Sequence, residues 1–276
     1  MTVQKNKTPA LTQFVTLTDV FSQPKEYLVP REPISLYRYV ELLVQLTLLK
    51  KYRSPRILET GPGTYPVFGQ WPGALYDEGA VVDYSEKVLS YCERALADKN
   101  IDRILLDFDR SGALSALGRK WDLIVSNGVL EHLRADRDHV RDMYDALAPG
   151  GFLVCVTVLN ESLFNDWDRA VGHYRRYSVR SLMDLFKDFS GVQLIQTSFL
   201  QEVVRPLFFG RIRHLVSNTP EQNNRMFGDE VTNFSRPPYS GVFGIVRWLL
   251  PAYLCFDWVF GRFLGGIGIV IARKES

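Results

Sequence analysis

A disulfide framework and a cysteine-based metal site are the first things this sequence excludes. Its three cysteines, Cys92, Cys155 and Cys255, are far apart, odd in number and in no ligand spacing, so they read as thiols of a reducing compartment. The four histidines, His132, His139, His173 and His214, form no ligand cluster with them, and no metal is expected. A net charge of +2 gives no electrostatic case for nucleic acid as a partner. No uninterrupted run of about 18 apolar residues occurs, which argues against a membrane-spanning helix. The opening MTVQKNKTPALTQF has no long apolar core behind its lysines, so no signal peptide is expected. These absences point to a cytoplasmic protein. Its 276 residues hold one generous α/β domain with embellishments, or two small domains.

What the chain does have is organised around Arg56–Pro66, RILETGPGTYP. A short apolar run, Ile57-Leu58, ends in Glu59 and then in Gly61-Pro62-Gly63. Closely spaced glycines after a strand let backbone approach a ligand where a Cβ would collide. Ahead of this turn, Leu36, Val40 and Leu43 recur at helical spacing from Pro33 to about Tyr52, apolar over much of the circumference. Such a helix is covered on more than one side. Residues 1–30 are poorly periodic and broken by proline.

Beyond the turn, strands and helices alternate, the pattern of a parallel sheet with crossover helices. Strands are expected at Ala80–Val82, Ile104–Leu106, Leu123–Val125, Phe152–Val158, Val192–Ile195 and Gly268–Ala272. Ser85 caps the helix carrying Val88, Cys92 and Ala95 on one face. A second helix aligns Val140, Met143, Tyr144 and Leu147 and stops at Pro149-Gly150-Gly151. A third, after Ser178, aligns Val179, Leu182, Met183 and Phe186. Between the last two strands lie about 65 aromatic-rich residues, read as a helical insertion.

Three acids sit at successive strand ends: Glu59, Asp83 and Asp107. Asp83 stands 22 residues beyond Gly61, near the spacing at which a carboxylate accepts from ribose hydroxyls. At the next strand end, Asp107 is placed to accept from an adenine amino group while Phe108 packs on the ring.

Taken in order, ILETGPG, VVDYS, LLDFD, WDLIVSNGVLEHL and LAPGG resemble the motif set of class I S-adenosylmethionine-dependent methyltransferases. The resemblance covers roughly 55–200 and resumes at 266–274. It implies a Rossmann-like, doubly wound, seven-stranded sheet, mostly parallel with an antiparallel last strand. It implies S-adenosylmethionine as cofactor, with Glu59, Gly61 and Gly63 at its methionine part, Asp83 on the ribose, and Tyr84, Asp107 and Phe108 at the adenine. Asn127 would lie near the sulfonium. GHYRRYS, Gly172–Ser178, is similar to a segment of a subgroup acting on small molecules. The expected organisation is a helical cap over 1–54, a cofactor-binding core over 55–200, an insertion over 201–264 and a closing strand over 265–276.

One position departs from the family. Tyr65 stands where a third glycine is usual, and Pro66 follows. The ring is expected to displace the following helix or narrow the pocket's amino-acid end. Pro66 also argues against a dinucleotide enzyme, which wants a glycine or alanine there for close helix packing.

A sulfonium methyl is an activated electrophile, so alignment of acceptor, methyl and sulfur supplies much of the rate. A hydroxyl acceptor must also lose a proton. His173 is the first candidate base, ahead of His132 and Glu131, with Tyr174 and Tyr177 orienting substrate. Acceptor choice falls to the N-terminal helix, with Tyr37, and to the aromatic insertion, which suits a bulky apolar small molecule. Transfer to nitrogen or carbon stays open. So does a second class: Arg205, Arg211, Arg213, Arg247 and Arg262, set among apolar residues, suit interfacial helices over 202–264. The chain would then be a peripheral enzyme on a lipid-linked acceptor, or a non-catalytic membrane-associated binder.

Overall fold

The N-terminal stretch, aperiodic in sequence, still contributes regular structure in the computed structural model, which describes residues 10–71, 75–198, 218–220, 222–223 and 240–276. It contains a two-residue strand, β1 (Ala10–Leu11), and the short helices α1 (Leu17–Phe21) and α2 (Lys25–Leu28). A reciprocal cap opens α1: Thr16 Oγ1 accepts from the Asp19 N–H at 3.1 Å, and the Asp19 carboxylate accepts from the Thr16 N–H at 2.8 Å. Helix α3 (Leu36–Leu49) follows, and every residue from Tyr39 to Leu49 is buried. The expectation of a helix covered on several sides is met.

The glycine turn follows β2 (Arg56–Thr60), and β3 (Glu78–Asp83) comes next. Helix α4 (Glu86–Ala95) is capped by Ser85 as expected, its hydroxyl accepting from the Val88 N–H at 3.4 Å. Then come β4 (Ile101–Leu105), β5 (Trp121–Asn127), α5 (Asp136–Ala146) and β6 (Leu147–Val158). The chain continues through α6 (Asp166–Ala170), α7 (Val179–Leu185) and β7 (Gly191–Thr197). It closes with α8 (Phe243–Val246), α9 (Leu250–Leu264) and β8 (Ile267–Arg273). Most of the expected insertion, including Arg205, Arg211 and Arg213, lies outside the described residues.

The strands form one sheet in the order β1-β7-β8-β6-β5-β2-β3-β4. All pairings are parallel except those of β8, which runs antiparallel to both β6 and β7. The expected seven strands and their antiparallel last member are present. The eighth, β1, is added at the edge, pairing Ala10 with Gly191. Two residues carry no period, so no alternation could announce it. From β2 the chain steps outward through β3 to β4, then returns to the other side of β2 with β5. The order therefore reverses between β2 and β5, where ligands of open α/β sheets bind.

Alternate strand residues enter two cores. Leu123, Val125, Phe152, Val154, Ile269 and Ile271 pack with α3, α4 and α9 on one face. Ile124, Leu153, Cys155, Val270 and Ala272 pack with α5 and α7 on the other. A sheet covered on both faces needs such apolar runs. Three local expectations shift. Leu106 lies beyond β4; Ala95 is exposed while Leu96 is buried behind it; and α5 ends at Ala146, so Leu147 and the Pro-Gly-Gly already belong to β6.

The expectation against a spanning helix needs correcting at the level of composition. The helical stretch Ser240–Phe263 is long and apolar enough to cross a membrane, with a mean hydropathy of 1.4 over 18 residues, of which 22% are buried. Arg247, Asp257 and Arg262 break the apolar run and had hidden it from a search for unbroken runs. One face of α9 is docked on the sheet. Asp257 accepts from the Thr197 hydroxyl and, at 2.9 Å, from the Ser198 N–H at the end of β7. Gly261 permits the approach, since a Cβ there would stand 2.7 Å from the Gln196 carbonyl oxygen. Ile245, Trp248 and Leu249 are exposed ahead of α9, and Phe256, Val259, Phe260 and Phe263 are exposed on its opposite face. Within α9 the exposed positions fall at i, i+3, i+4 and i+7, which makes a single apolar stripe.

Candidate active site

At the reversal between β2 and β5, Gly61 has φ +63° and its N–H donates to the Val82 carbonyl at 2.9 Å. A Cβ there would meet the Val129 side chain at 2.5 Å, so glycine alone lets the two strand ends come together. Gly63, with φ +55°, faces open space. Just before them, Glu59 is buried and turns its carboxyl back onto the Val67 N–H, at 2.9 and 3.1 Å. It thereby holds the single 3₁₀ turn Val67–Gly69 that stands between β2 and residue 71. Burial pushes this carboxyl up to about 8, against the pull of Arg38 and the Val67 bond.

Asp83 ends β3 only 5% exposed. Its carboxyl accepts from backbone N–H groups of its own turn, Ser85 at 2.9 Å and Tyr84, and burial raises it to about 6. Tyr84 is 46% exposed beside it. Asp107 is exposed and accepts from the Asp109 N–H at 3.0 Å. Phe108 is buried, its ring 5.3 Å from that of His139. That position is inside the core on the α5 face.

Helix α3 brings a polar group that sequence reasoning passed over. Glu41, 1% exposed, accepts from Arg38 Nη1 at 3.3 Å, from Gln45 Nε2 at 2.6 Å and from the Asn127 side-chain amide. Asn127, assigned in sequence to the neighbourhood of the sulfonium, thus has its amide turned to α3. Burial raises the Glu41 carboxyl although all three partners favour its charge. Burial also opposes the Arg38 charge, but Glu41, Tyr37 and Glu59 outweigh it and hold that guanidinium up. Tyr37 is half-buried, with the Arg38 guanidinium 6.0 Å from its ring centre. The available signal was Glu41 and Gln45, four apart in an otherwise apolar helix, which is where a buried polar pair belongs.

Past β5, the turn Leu130–His132 and the segment after α6 converge. The Tyr174 N–H donates to the Glu131 carbonyl at 2.8 Å. Glu131, 3% exposed, accepts from Thr157 Oγ1 of β6 at 2.8 Å. The rings of His132 and His173 meet edge to face at 4.7 Å. His173 is 8% exposed, and its Nδ1 lies 2.8 Å from the carboxylate of Asp168. Asp168 is fully buried in α6 and takes Arg176 Nε on both oxygens at 2.9 Å. Burial works against its ionisation, but the bond and charge of His173 and the charge of Arg176 prevail, leaving it below the usual carboxylate range.

Asp168 and Arg176 were also missed in sequence. Asp168 closes the capping box of α6, with Asn165 N–H donating to it at 3.0 Å, so its local role masked the longer one. Of the two tyrosines, Tyr177 is buried and donates to Asp136 at 2.7 Å. Tyr174 is half-buried, and its hydroxyl accepts from Arg134 Nε at 3.2 Å. Both border a cavity of about 570 Å³ that Asp136, Glu161, Phe164 and Arg175 also line.

A protein-family model described as a methyltransferase domain matches residues 34–196. Among solved structures, the YcgJ protein of Bacillus subtilis is 12% identical, with a TM-score of 0.54 over 86% of this chain and 99% of that one. An S-adenosylmethionine-dependent methyltransferase of Mesorhizobium loti is 16% identical, with a TM-score of 0.51 over 87% and 100%. Phosphoethanolamine N-methyltransferase 2 of Haemonchus contortus, in complex with phosphomonomethylethanolamine and S-adenosylhomocysteine, is 14% identical. It has a TM-score of 0.51 over 94% of this chain and 57% of its own. At such identities the likeness is one of fold. No curated protein gives a significant match.

Proposed function

Because this chain belongs to the methyltransferase-domain family, as a class I S-adenosylmethionine-dependent enzyme, we propose that it methylates a hydroxyl group of a bulky, apolar acceptor. The residues at the β2–β5 reversal suit the cofactor. Gly63 leaves open space at the turn, and Asp83 is a buried carboxyl whose bonds among the described residues are to backbone N–H groups of its own turn. Such a group gains from two ribose hydroxyl donors. We assign Gly61 and Gly63 to the methionine part, Asp83 to the ribose, and Tyr84 and Asp107 to the adenine. When bound, the cofactor supplies a sulfonium methyl ready for nucleophilic attack.

The chain's own task is then to hold the acceptor in line and take its proton. One observation carries the assignment to His173: its Nδ1 is 2.8 Å from an ionised, fully buried Asp168. In the neutral tautomer that donates Nδ1–H to this carboxylate, Nε2 carries no proton and can accept that of the hydroxyl. Asp168 orients the ring and steadies its cationic form; it is a positioning residue. Three unpaired cysteines favour a reducing, cytoplasmic setting. The test is transfer of labelled methyl from S-adenosylmethionine to a panel of apolar alcohols and matched amines. Label is expected in ether products, lost at least a hundredfold in kcat with His173→Ala. Label found only in amines or on carbon would overturn the hydroxyl assignment.

The exposed stripe of α9 favours a second reading, in which the acceptor is lipid-linked and the enzyme works at a membrane surface. No acid interrupts Ile245, Trp248, Leu249, Phe256, Val259, Phe260 and Phe263, and Arg262 flanks them. Co-sedimentation with anionic vesicles, abolished by Phe260→Asp, supports it; recovery of all protein in the supernatant removes it.

A further inference from the structure

Three side chains able to ligate a cation converge at the carboxyl ends of β5 and β6. One carboxylate oxygen of Glu131 and one ring nitrogen each of His132 and His173 all lie within 4.8 Å of one another. The groups behind them are arranged as those behind metal ligands are. His173 leans its Nδ1 on Asp168, which Arg176 anchors. Glu131 has one oxygen held by Thr157. Metal-bound imidazoles are fixed in this way, the far nitrogen on a carboxylate and the near one turned to the ion. A buried carboxylate beside two imidazoles also gains from a positive charge between them.

We propose that Glu131, His132 and His173 bind one divalent transition-metal ion of the zinc or iron(II) class. Two nitrogens and one oxygen select against magnesium and calcium, which take oxygen shells. Three protein ligands leave a coordination position open. Metal–ligand bonds of about 2.0–2.2 Å set ligand atoms roughly 3.4 Å apart in a tetrahedron. A pair at the 4.8 Å limit must therefore close by about 1.4 Å, which a ring rotation of the half-buried His132 would supply. The proposal departs from the sequence expectation of no metal; its ligands are split between 131–132 and 173.

Binding of the ion stands apart from the function proposed above; its use rests on that reading. An acceptor hydroxyl in the open position would ionise more readily, its proton passing to solvent water while the oxygen keeps the electron pair that would attack the methyl group, whose bond to sulfur breaks as S-adenosylhomocysteine leaves. His173 is then a ligand in place of a base.

The experiment titrates chelator-treated, full-length protein with Zn²⁺ by calorimetry and with Co²⁺ by visible absorption, alongside S-adenosylmethionine in the same samples. One ion per chain is expected, with a Co²⁺ ligand-field band. Affinity should fall at least tenfold in Glu131→Gln and His132→Ala, and about 10- to 100-fold in Asp168→Asn. Retained cofactor binding shows that each variant is folded; if Asp168→Asn is not, His132→Ala carries the test. No Co²⁺ band, or equal affinity in Glu131→Gln and His132→Ala, overturns the metal site and leaves the base reading standing. A bound ion with label only in amines sinks the hydroxyl reading and leaves the site.

Discussion

Asp83 enters the folded protein with its carboxyl raised from 3.8 to about 6 by burial. Burial disfavours the charged form, so the apo protein loses stability as pH rises from about 3.8 through 6. Ribose hydroxyls donate to the charged form, so cofactor binding runs the other way. S-adenosylmethionine affinity should strengthen as pH rises from 5 to 7 and then level off. Asp83→Asn should flatten that profile and cost about 1.5–3 kcal/mol of binding, roughly one hydrogen bond to a charged acceptor, since the amide oxygen still accepts the other. Calorimetric titration at several pH values measures both. A wild-type profile as flat as that of the variant would remove Asp83 from the ribose.

The two longest apolar helices among the described residues show how similar compositions meet different fates. In α3 the apolar circumference is covered throughout, and Leu43 is fully buried. Leu43→Ala should cost about 2–5 kcal/mol, from lost transfer energy and the cavity left behind. In α9 only one face meets the sheet, and Phe263 on the other is 75% exposed. Phe263→Ser should change stability by no more than about 0.5 kcal/mol. Chemical denaturation of both variants compares them directly; equal losses would mean that the α9 stripe is covered in the folded protein. Asp257 explains the docking of α9, since its carboxylate accepts from the buried Ser198 N–H at 2.9 and 3.2 Å, and losing that acceptor would cost about 1–3 kcal/mol.

Across the whole molecule, cofactor binding and folding are linked. A ligand at 100 times its Kd adds about 2.7 kcal/mol to stability, so saturating S-adenosylmethionine should raise Tm by several degrees. The rise should be much smaller in Asp83→Asn at the same ligand concentration, and thermal unfolding monitored by fluorescence reads it. A shift of the same size in the variant would put the cofactor elsewhere.

The alternation of apolar runs with helical periods, legible between Arg56 and Ile195, determined a doubly wound parallel sheet, because period and burial on both faces are properties of local sequence. The turn at Gly61 was legible for the same reason: the need for a residue without a Cβ is written in one letter. Strand β1 was not legible, since its partner Gly191 lies 181 residues away and two residues show no period. Nor was the group joining Arg38, Glu41 and Asn127, or that joining Glu131, His132, Asp168, His173 and Arg176. Their members are spread over separate elements, and only packing at the reversal between β2 and β5 and at the neighbouring end of β6 decides which polar side chains share buried space. The sequence by itself determined the sheet and the residues at its carboxyl edge. Tertiary structure decided which of those residues face one another, because a hydrogen bond or a shared charge depends on distance in space, which chain order does not encode.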